Sequence, residues 1–340
     1  MLNEIIQERL KKLSRLKKAG INPYPASVKR TVSIGEAKEK FKAFEKSRKK
    51  VFLVGRIVSW RDQGGVIFAD IVDESGKIQI VIKKDTLKNF SLFKETLDRG
   101  DFLSAGGTLF KTKKGQESLD VKELYILVKS MRPLPSEWYG LEETETRLRK
   151  RYIDIILNPE TKELFRKKRI FWQSFRDYLS KEGFLELETP VLEALPGGAE
   201  AEPFKTRHNA LDVDFYLRIS LELPLKKLLV AGYEKIFEMG RIFRNEGIDR
   251  EHLQDYTQLE FYWAYHDYND LMKLAEKMYK EVIKKTTGGL KTSFQGKTID
   301  WGKKWEKIEY VKIFEKYNKL NPVTASRDEL FQKAVSLGLA

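Results

Sequence analysis

The chain has 340 residues, enough for two domains of ordinary size, with 64 Lys and Arg against 50 Asp and Glu and a formal net charge of +14. It has no cysteine, which excludes disulfides and thiolate metal sites, and its three histidines, His208, His252 and His266, lack metal-ligand spacing. No apolar run is long enough to cross a bilayer and the N-terminus has no signal-peptide core, so we expect a cytoplasmic protein without a membrane segment. The positive charge favours a phosphate-rich partner, although a solvated lysine-rich surface has the same composition.

Residues 1–50 are expected to form a basic, helical N-terminal region. Within it, residues 1–20 read as one amphipathic helix, because apolar residues from Ile5 to Leu16 recur at helical spacing and Gly20 follows the last of them. The segment Asn22-Pro23-Tyr24-Pro25 then predicts an extended turn. Two interpretations of the helix remain open: RNA contact through its lysines, or a solvated helix whose leucines pack on the next domain.

Residues 51–130 are typical of a small β-barrel. Five short strands with one helix after the third, near residues 87–99, follow the order of an OB-fold. The predicted strands are Val51–Trp60, Val66–Ile71, Lys77–Ile82, Phe102–Phe110 and Leu119–Leu127. Such barrels bind single-stranded nucleic acid by stacking bases on aromatic side chains within a basic groove. Phe68 lies in mid-strand, where it fits either a stacking platform or an ordinary core position.

A boundary between domains is predicted after the barrel. Pro133 and Pro135 cannot continue a strand, and the residues up to 149 are highly charged, so residues 131–149 are expected to be a linker. A second domain would then occupy residues 150–340. Its first elements are a long helix from Asn158 to Lys181 and a strand over residues 184–190 that Pro190 ends.

The segments Gly240–Gly247 and Gln258–Tyr262 carry the most information in the second domain. Both alternate apolar and polar residues, and a polar loop that contains His252 separates them, which predicts an antiparallel hairpin with a long loop. One face of this hairpin carries Arg244, Glu246 and Glu260. Opposite charges on a strand face that would otherwise be apolar suggest a site for a polyanion or a zwitterion.

This hairpin resembles the second signature motif of the class II aminoacyl-tRNA synthetases. The preceding helix and strand, residues 159–192, resemble the first signature, which forms the homodimer interface in that family. Three further segments are similar to the lysyl branch of subclass IIb: Pro196–Ala199, Phe204–Asp212 and Tyr216–Leu223. The resemblance runs from the first helix to about residue 285. It implies an α+β protein in which an N-terminal OB-fold barrel precedes an antiparallel sheet flanked by helices.

The resemblance also implies an activity, the ATP-dependent attachment of L-lysine to tRNA(Lys) through a lysyl-adenylate, with Mg²⁺ accompanying ATP. Arg244 matches the catalytic arginine that contacts the α-phosphate, and Glu246 the residue that reads the adenine amino group. His252 matches a contact to the outer phosphates, and Tyr256 the aromatic that stacks on adenine. Without the family, Arg244 and Glu246 would fit a surface ion pair equally well. The loop departs from the family's His-Asn-Pro-Glu-Phe, because this chain has His252-Leu253-Gln254-Asp255-Tyr256.

Recognition of the amino acid is implied to rest on carboxylates, because a buried ammonium group needs anionic partners. Glu222 and Glu260 match the lysine-recognising glutamates, and Gly198 and Tyr262 would line the pocket. An exposed carboxylate at a helix start is the alternative for Glu222.

In the barrel, the family's anticodon-reading positions fall on Phe68, Gln79 and Glu123. They would contact splayed, uridine-rich bases. An ordinary strand position remains the alternative for Gln79.

The third signature of class II synthetases, a glycine-rich strand and helix with an arginine, does not occur in this sequence. The sheet is therefore expected to lack its last strands, and no metal-binding residue can be assigned. Three alternatives stay open: an incomplete copy of a lysine enzyme, a natural truncated paralogue that binds tRNA without catalysis, and an aspartyl or asparaginyl relative. The last would need cations where this pocket has carboxylates.

Overall fold

We describe a computed structural model of the chain, covering residues 2–135, 143–247, 249 and 252–339. The predicted linker therefore lies partly outside the described residues, at positions 136–142. By its internal contacts the chain divides into two units, residues 1–158 and residues 159–340.

The first unit contains the β-barrel and the helices around it. Its helices are α1 (Leu2–Lys18), α2 (Ile34–Glu39), α3 (Phe41–Ser47), α4 (Phe90–Thr96), α5 (Thr144–Arg149) and α6 (Arg151–Leu157). Its strands are β1 (Val51–Asp62), β2 (Val66–Val72), β3 (Lys77–Lys83), β4 (Phe102–Lys111) and β5 (Glu117–Val128). The strands close into a barrel in the order β1-β2-β3-β5-β4, with α4 between β3 and β4 in sequence. The predicted OB-fold order is therefore confirmed.

Strand alternation decides which side chains fill the barrel. In β2, Ile67, Ala69 and Ile71 are buried in the core, whereas Phe68 is half-buried on the outer face. In β3, Ile78, Ile80 and Ile82 are buried in the same core. Phe68 thus does not belong to the barrel core, which favours the first of its two interpretations.

A buried charge network lies where β5 ends. Lys129 is about 1% exposed and donates to Asp101 at 2.7 Å and to Asp98. Lys12 of α1 donates to Asp98 at 2.6 Å. Burial raises the pKa of Asp101 despite the charge of Lys129. Burial acts on Asp98 in the same direction, but hydrogen bonds from Lys12 and Lys129 outweigh it, so the pKa of Asp98 is lowered.

Helix α1 is fastened to this end of the barrel by Arg9. The buried guanidinium donates to the backbone carbonyls of Arg99, Ser130 and Arg132 at 3.1, 2.9 and 3.2 Å. Leu16 of the same helix is fully buried in the barrel core. The apolar face of α1 therefore packs on the barrel, while Lys11, Lys17 and Lys18 remain exposed for any contact with RNA.

The second unit is built on a long hairpin with helices on both faces. Its helices are α7 (Pro159–Lys181), α8 (Glu222–Val230), α9 (Tyr268–Thr287), α10 (Tyr310–Asn318) and α11 (Arg327–Ser336). Its strands are β6 (Leu185–Glu186), β7 (Leu192–Glu193), β8 (Lys205–His208), β9 (Val213–Leu217), β10 (Lys235–Phe243), β11 (Asp255–Trp263), β12 (Lys291–Phe294) and β13 (Lys297–Asp300). They pair in the orders β11-β10-β6, β7-β9-β8 and β12-β13.

The predicted hairpin is present as β10 and β11, paired antiparallel from Lys235–Trp263 to Phe243–Asp255. Phe237 faces α7 and α9, within a core that includes Phe175, Leu179 and Met278. Its strand neighbour Ile236 faces α8 and packs with Leu221 and Leu225. The hairpin is therefore covered by helices on both faces.

The strand predicted over residues 184–190 is wrong in length. Only Leu185 and Glu186 pair with β10, in parallel. The backbone N–H of Thr189 instead donates to the side chain of Glu238, at 3.1 Å. A side-chain acceptor thus replaces the ladder partner that would have continued the strand.

The Lys129 network predicts a large loss of barrel stability in Lys129→Met. This change leaves Asp98 and Asp101 without their buried cation and should cost roughly 3–5 kcal/mol of unfolding free energy. Native-state hydrogen exchange of β4 and β5 measures it. The control is Lys94→Met, which removes a part-exposed ion pair with Asp62 at 2.8 Å and should cost no more than about 1 kcal/mol. Equal effects of the two variants would contradict the assignment.

Candidate functional site

The face of the hairpin that turns towards α8 changes from apolar at its ends to polar at its centre. In β11 this face carries Tyr256, Gln258, Glu260 and Tyr262, since alternate residues of a strand share a face. In β10 it carries Ile236, Glu238, Gly240 and Ile242, and Arg244 follows directly after the strand. The register places Glu238 opposite Glu260 and Gly240 opposite Gln258. Polar groups at the centre of a covered strand face indicate a binding site.

One residue of this polar centre, Glu238, belongs to a buried ion pair. Arg218 and Glu238 are each about 3% exposed, and Arg218 Nη1 donates to Glu238 Oε1 at 2.6 Å. Arg218 also donates to the carbonyls of Arg241 at 2.8 Å and Thr189 at 3.0 Å. The Thr189 hydroxyl donates to the other carboxylate oxygen of Glu238 at 2.7 Å. Both charges are therefore compensated and hydrogen-bonded, as burial requires.

Gly240 makes room for this ion pair. A Cβ at this position would overlap the Arg218 guanidinium and lie 2.9 Å from Glu238 Oε1. Arg218 is held by the hydrogen bonds described above, so it cannot simply move aside.

The sequence interpretation missed Arg218, Glu238 and Thr189. A charged residue within an apolar run was the available signal, in Leu217-Arg218-Ile219 and in Phe237-Glu238-Met239. Their pairing was not visible, because the two residues belong to different elements.

The predicted nucleotide-binding residues come together at the loop end of the hairpin. They line a cavity of about 480 Å³ formed by Arg244, Glu246, Gly247, His252, Leu253, Gln254 and Tyr256. The Arg244 guanidinium lies 5.8 Å from the centre of the Tyr256 ring, and its Nε donates to the Ile219 carbonyl at 3.3 Å. Glu246 and His252 are exposed at the rim, where His252 Nδ1 lies 2.6 Å from Asp249 Oδ2.

Glu260 lies in the next part of the same face. Its carboxylate accepts hydrogen bonds from the Ser220 hydroxyl at 3.0 Å and the Leu221 backbone N–H at 3.2 Å. It also accepts from Gln258 Nε2 and from the Tyr262 hydroxyl, the latter at 3.2 Å. Burial, with the charges of Glu260 and Glu222, raises the pKa of Tyr262 well above its usual value. Tyr262 is therefore a neutral donor at physiological pH.

Glu222 and Gly198 adjoin this carboxylate. Glu222 is the first residue of α8, and its side chain accepts from Lys226 Nζ of the same helix at 2.9 Å. Gly198 has a φ of +88°, and a Cβ there would lie 3.0 Å from both Glu222 Cβ and Ser220 Oγ. The close approach and the left-handed backbone together explain the glycine. Gly198, Glu222, Glu260 and Tyr262 are thus brought together as predicted.

The barrel carries a second polar cavity on its outer face, of about 890 Å³. Phe68 and Gln79 both line it, together with the basic side chains Arg61, Lys77, Lys83, Lys113 and Lys114. Gln79 Oε1 accepts a hydrogen bond from Ser118 at 3.0 Å. The sequence interpretation missed Phe110, a second aromatic of this cavity, although its alternation with buried Leu109 was visible.

The structure does not bring Glu123 to this cavity. Glu123 lines a separate cavity of about 600 Å³, where it forms an ion pair with Lys50 and accepts from the Tyr125 hydroxyl at 2.9 Å. In the pairing of β4 with β5, Glu123 lies opposite Gly106 and Ser118 lies opposite Phe110. Gln79 of β3 pairs with Ser118, so it lies at the Phe110 position of the barrel and not at that of Glu123. The anticodon role assigned to Glu123 therefore does not fit the geometry of the other two residues.

Within the described ranges, no group of His, Asp and Glu side chains is arranged to hold a metal ion. The helices of the described part of the chain include none long and apolar enough to span a bilayer.

The buried ion pair predicts that Gly240→Ala is costly. The added methyl group must displace Arg218 or bend β10, so the unfolding free energy should fall by roughly 1–3 kcal/mol. Native-state hydrogen exchange of β10 and β11 reports this change. Gly289→Ala serves as control, because a Cβ there meets nothing within 4 Å. If Gly240→Ala were as stable as the control, the close approach of Arg218 would be disproved.

Comparison with known proteins identifies both units. Residues 143–333 match the family described as tRNA synthetases class II (D, K and N), and residues 51–134 match the OB-fold nucleic acid binding domain. Over 310 residues the chain is 44% identical to a lysine–tRNA ligase of Roseiflexus castenholzii, covering 90% of the chain and 63% of that protein.

Two further relatives carry the same name. The chain is 45% identical over 319 residues to a lysine–tRNA ligase of Thermoanaerobacter sp. (strain X514), covering 93% of the chain and 63% of that protein. It is 41% identical over 341 residues to the one from Syntrophomonas wolfei, covering 99% of the chain and 69% of that protein. The chain thus spans less than two thirds of the first two relatives. On these matches and on its fold, the chain belongs to the class II tRNA synthetases of the D, K and N group.

Proposed function

We propose that this protein joins L-lysine to tRNA(Lys) in an ATP-dependent reaction that passes through a lysyl-adenylate. The observation that carries the proposal is the arrangement of the Arg244 guanidinium and the Glu260 carboxylate, which bind neighbouring residues of one segment, Ile219 for Arg244 and Ser220 with Leu221 for Glu260. Arg244 is proposed to bind a phosphate, and Glu260 an ammonium group. Aminoacyl-adenylate formation needs one site for each.

The first step requires two anions to meet. A carboxylate oxygen of lysine attacks the α-phosphorus of ATP, the bond to the β-phosphate oxygen breaks, and pyrophosphate leaves. Arg244 can contact the lysine carboxylate and the α-phosphate together through its planar fork, which offsets their repulsion. The backbone carbonyl of Ile219 orients this guanidinium, which lies over the Tyr256 ring. Tyr256 is proposed to stack on the adenine.

Holding the two reactants in line supplies much of the rate enhancement in reactions of this type. Mg²⁺ would accompany ATP through the phosphate oxygens, and no step is assigned to a protein-bound metal. Glu246 and His252 are proposed to contact the adenine amino group and the outer phosphates.

The amino acid side of the site favours a cation. Glu260 presents its carboxylate beside Glu222 and the neutral Tyr262 hydroxyl, with no cationic side chain among its hydrogen-bond donors in the described residues. A lysine ammonium would compensate this charge, whereas an aspartate side chain would meet repulsion. This argues against the aspartyl alternative by repulsion, and against the asparaginyl alternative because a neutral amide would leave the charge of Glu260 uncompensated.

In the second step, the terminal ribose hydroxyl of tRNA attacks the lysyl carbonyl and AMP leaves. The outer face of the barrel is proposed to bind the anticodon, with Phe68 as a stacking platform and Gln79 reading a base edge. Its lysines and Arg61 would neutralise the phosphates.

We further propose a homodimer through residues 159–192. Apolar side chains of this segment are exposed, namely Leu164, Phe165, Ile170, Leu185 and Leu192. A cytoplasmic location is proposed because tRNA, ATP and lysine meet there.

Lysine-dependent exchange of pyrophosphate into ATP by the complete gene product tests the proposed activity. We expect Arg244→Ala to lower the exchange rate by at least about 100-fold, since it removes transition-state charge stabilisation, while tRNA affinity stays unchanged. Exchange that depends on aspartate would refute the lysine assignment. The absence of exchange with any amino acid, combined with tRNA binding, would establish the non-catalytic tRNA-binding alternative.

The RNA-binding face predicts that Phe68→Ala weakens binding of tRNA(Lys). Loss of one stacked base should cost about 1–3 kcal/mol, or roughly a 5- to 150-fold increase in Kd, measured by filter binding at low salt. Tyr125→Ala is the control, because this exposed aromatic of the same barrel lines the other cavity with Glu123. An equal loss of affinity in both variants would place the RNA elsewhere.

A further inference from the structure

The Glu260 carboxylate is held asymmetrically. One oxygen, Oε1, accepts from the Ser220 hydroxyl, the Leu221 N–H and Gln258 Nε2. The other, Oε2, accepts only from the Tyr262 hydroxyl among the hydrogen bonds of the described residues. Each carboxylate oxygen has two acceptor directions, so Oε1 is saturated and Oε2 keeps one free. Oε2 is therefore the oxygen that can receive a further donor.

Gln258 is one of the groups that create this asymmetry. It lies two residues before Glu260 on β11, so both side chains are on the same face of the strand. Its partner across the hairpin is Gly240, which has no side chain to compete for the Gln258 amide. The amide is therefore able to lie along the strand against Glu260.

The chemical type of residue 258 also matters. A lysine or arginine at this position would reach Glu260 and neutralise it, and a carboxylate would repel it. An amide donates a hydrogen bond without adding charge, so the carboxylate is oriented while its negative charge is kept for a ligand.

We infer that Gln258 is a positioning residue for the amino acid substrate. Its amide fixes the rotation of the Glu260 carboxylate so that Oε2 faces the side-chain ammonium group of lysine. This inference rests on the proposed function, because it concerns the pocket assigned to lysine. Gln258 itself need not touch the substrate. Ser220 acts with it on the same oxygen, from the segment that leads into α8.

The test is a split of kinetic parameters in lysine-dependent pyrophosphate exchange by the complete gene product. Gln258→Met keeps the length of the side chain but removes the donor, and should raise the KM for lysine by roughly 10-fold. The KM for ATP and kcat should change less than about 2-fold, because uniform binding of one substrate is weakened. Gln258→Lys should raise the lysine KM further, since the ammonium group of the new side chain would occupy the position of the substrate ammonium group.

Two references complete the experiment. Thr257→Val is a matched control on the same strand but the opposite face, and should leave the lysine KM unchanged. Glu260→Gln marks the full loss of the carboxylate, and adding Gln258→Met to it should cause little further change. Gln258→Asn, whose amide is one methylene too short to reach Glu260, replaces the methionine variant if that fails to fold, with the same expectation.

An active enzyme in which Gln258→Met and Thr257→Val have equal lysine KM values would overturn the inference while leaving the proposed function intact. A parallel rise in the KM for ATP would also overturn it, since that indicates a general disturbance of the hairpin. Absence of lysine-dependent exchange in the unmodified protein would instead refute the proposed function and, with it, this assignment.

Discussion

The buried ion pair between Arg218 and Glu238 is the interaction on which the rest of the site depends. Two charges at about 3% exposure are costly to desolvate, and here each is compensated by the other and by backbone or hydroxyl groups. Removing either partner would leave the other buried and uncompensated. The pair therefore fixes where the segment after β9 lies against β10.

That segment, residues 218–221, contacts the functional side chains one after another. Arg218 binds Glu238, the Ile219 carbonyl accepts from Arg244, and Ser220 with the Leu221 N–H holds Glu260. One four-residue segment thus contacts both the group assigned to phosphate and the group assigned to ammonium. Because Arg244 and Glu260 both bind backbone or side-chain groups of this segment, its backbone helps to set the distance between the two halves of the proposed site.

Most of the architecture could be predicted from alternation, and the parts that could not depend on contacts between distant residues. The alternation in Gln258–Tyr262 identified a strand and its polar face, because a strand's period of two is local. The length of the strand after Phe184 could not be predicted, because the backbone N–H of Thr189 donates to the side chain of Glu238, a residue of another strand. Glu123 was placed with Phe68 and Gln79 by resemblance alone, and only the barrel register separates them.

The charge around Glu260, where the amino acid is proposed to bind, follows from the protonation states of its neighbours. The raised pKa of Tyr262 keeps that hydroxyl neutral, and Gln258 and Ser220 contribute no charge. The charge of Glu222 is offset by Lys226 of its own helix. Glu260 has no cationic partner among the residues that the structure describes. A negative charge without a cationic partner and one open acceptor direction match a substrate side chain that ends in an ammonium group, and a neutral or acidic side chain would leave that charge unpaired.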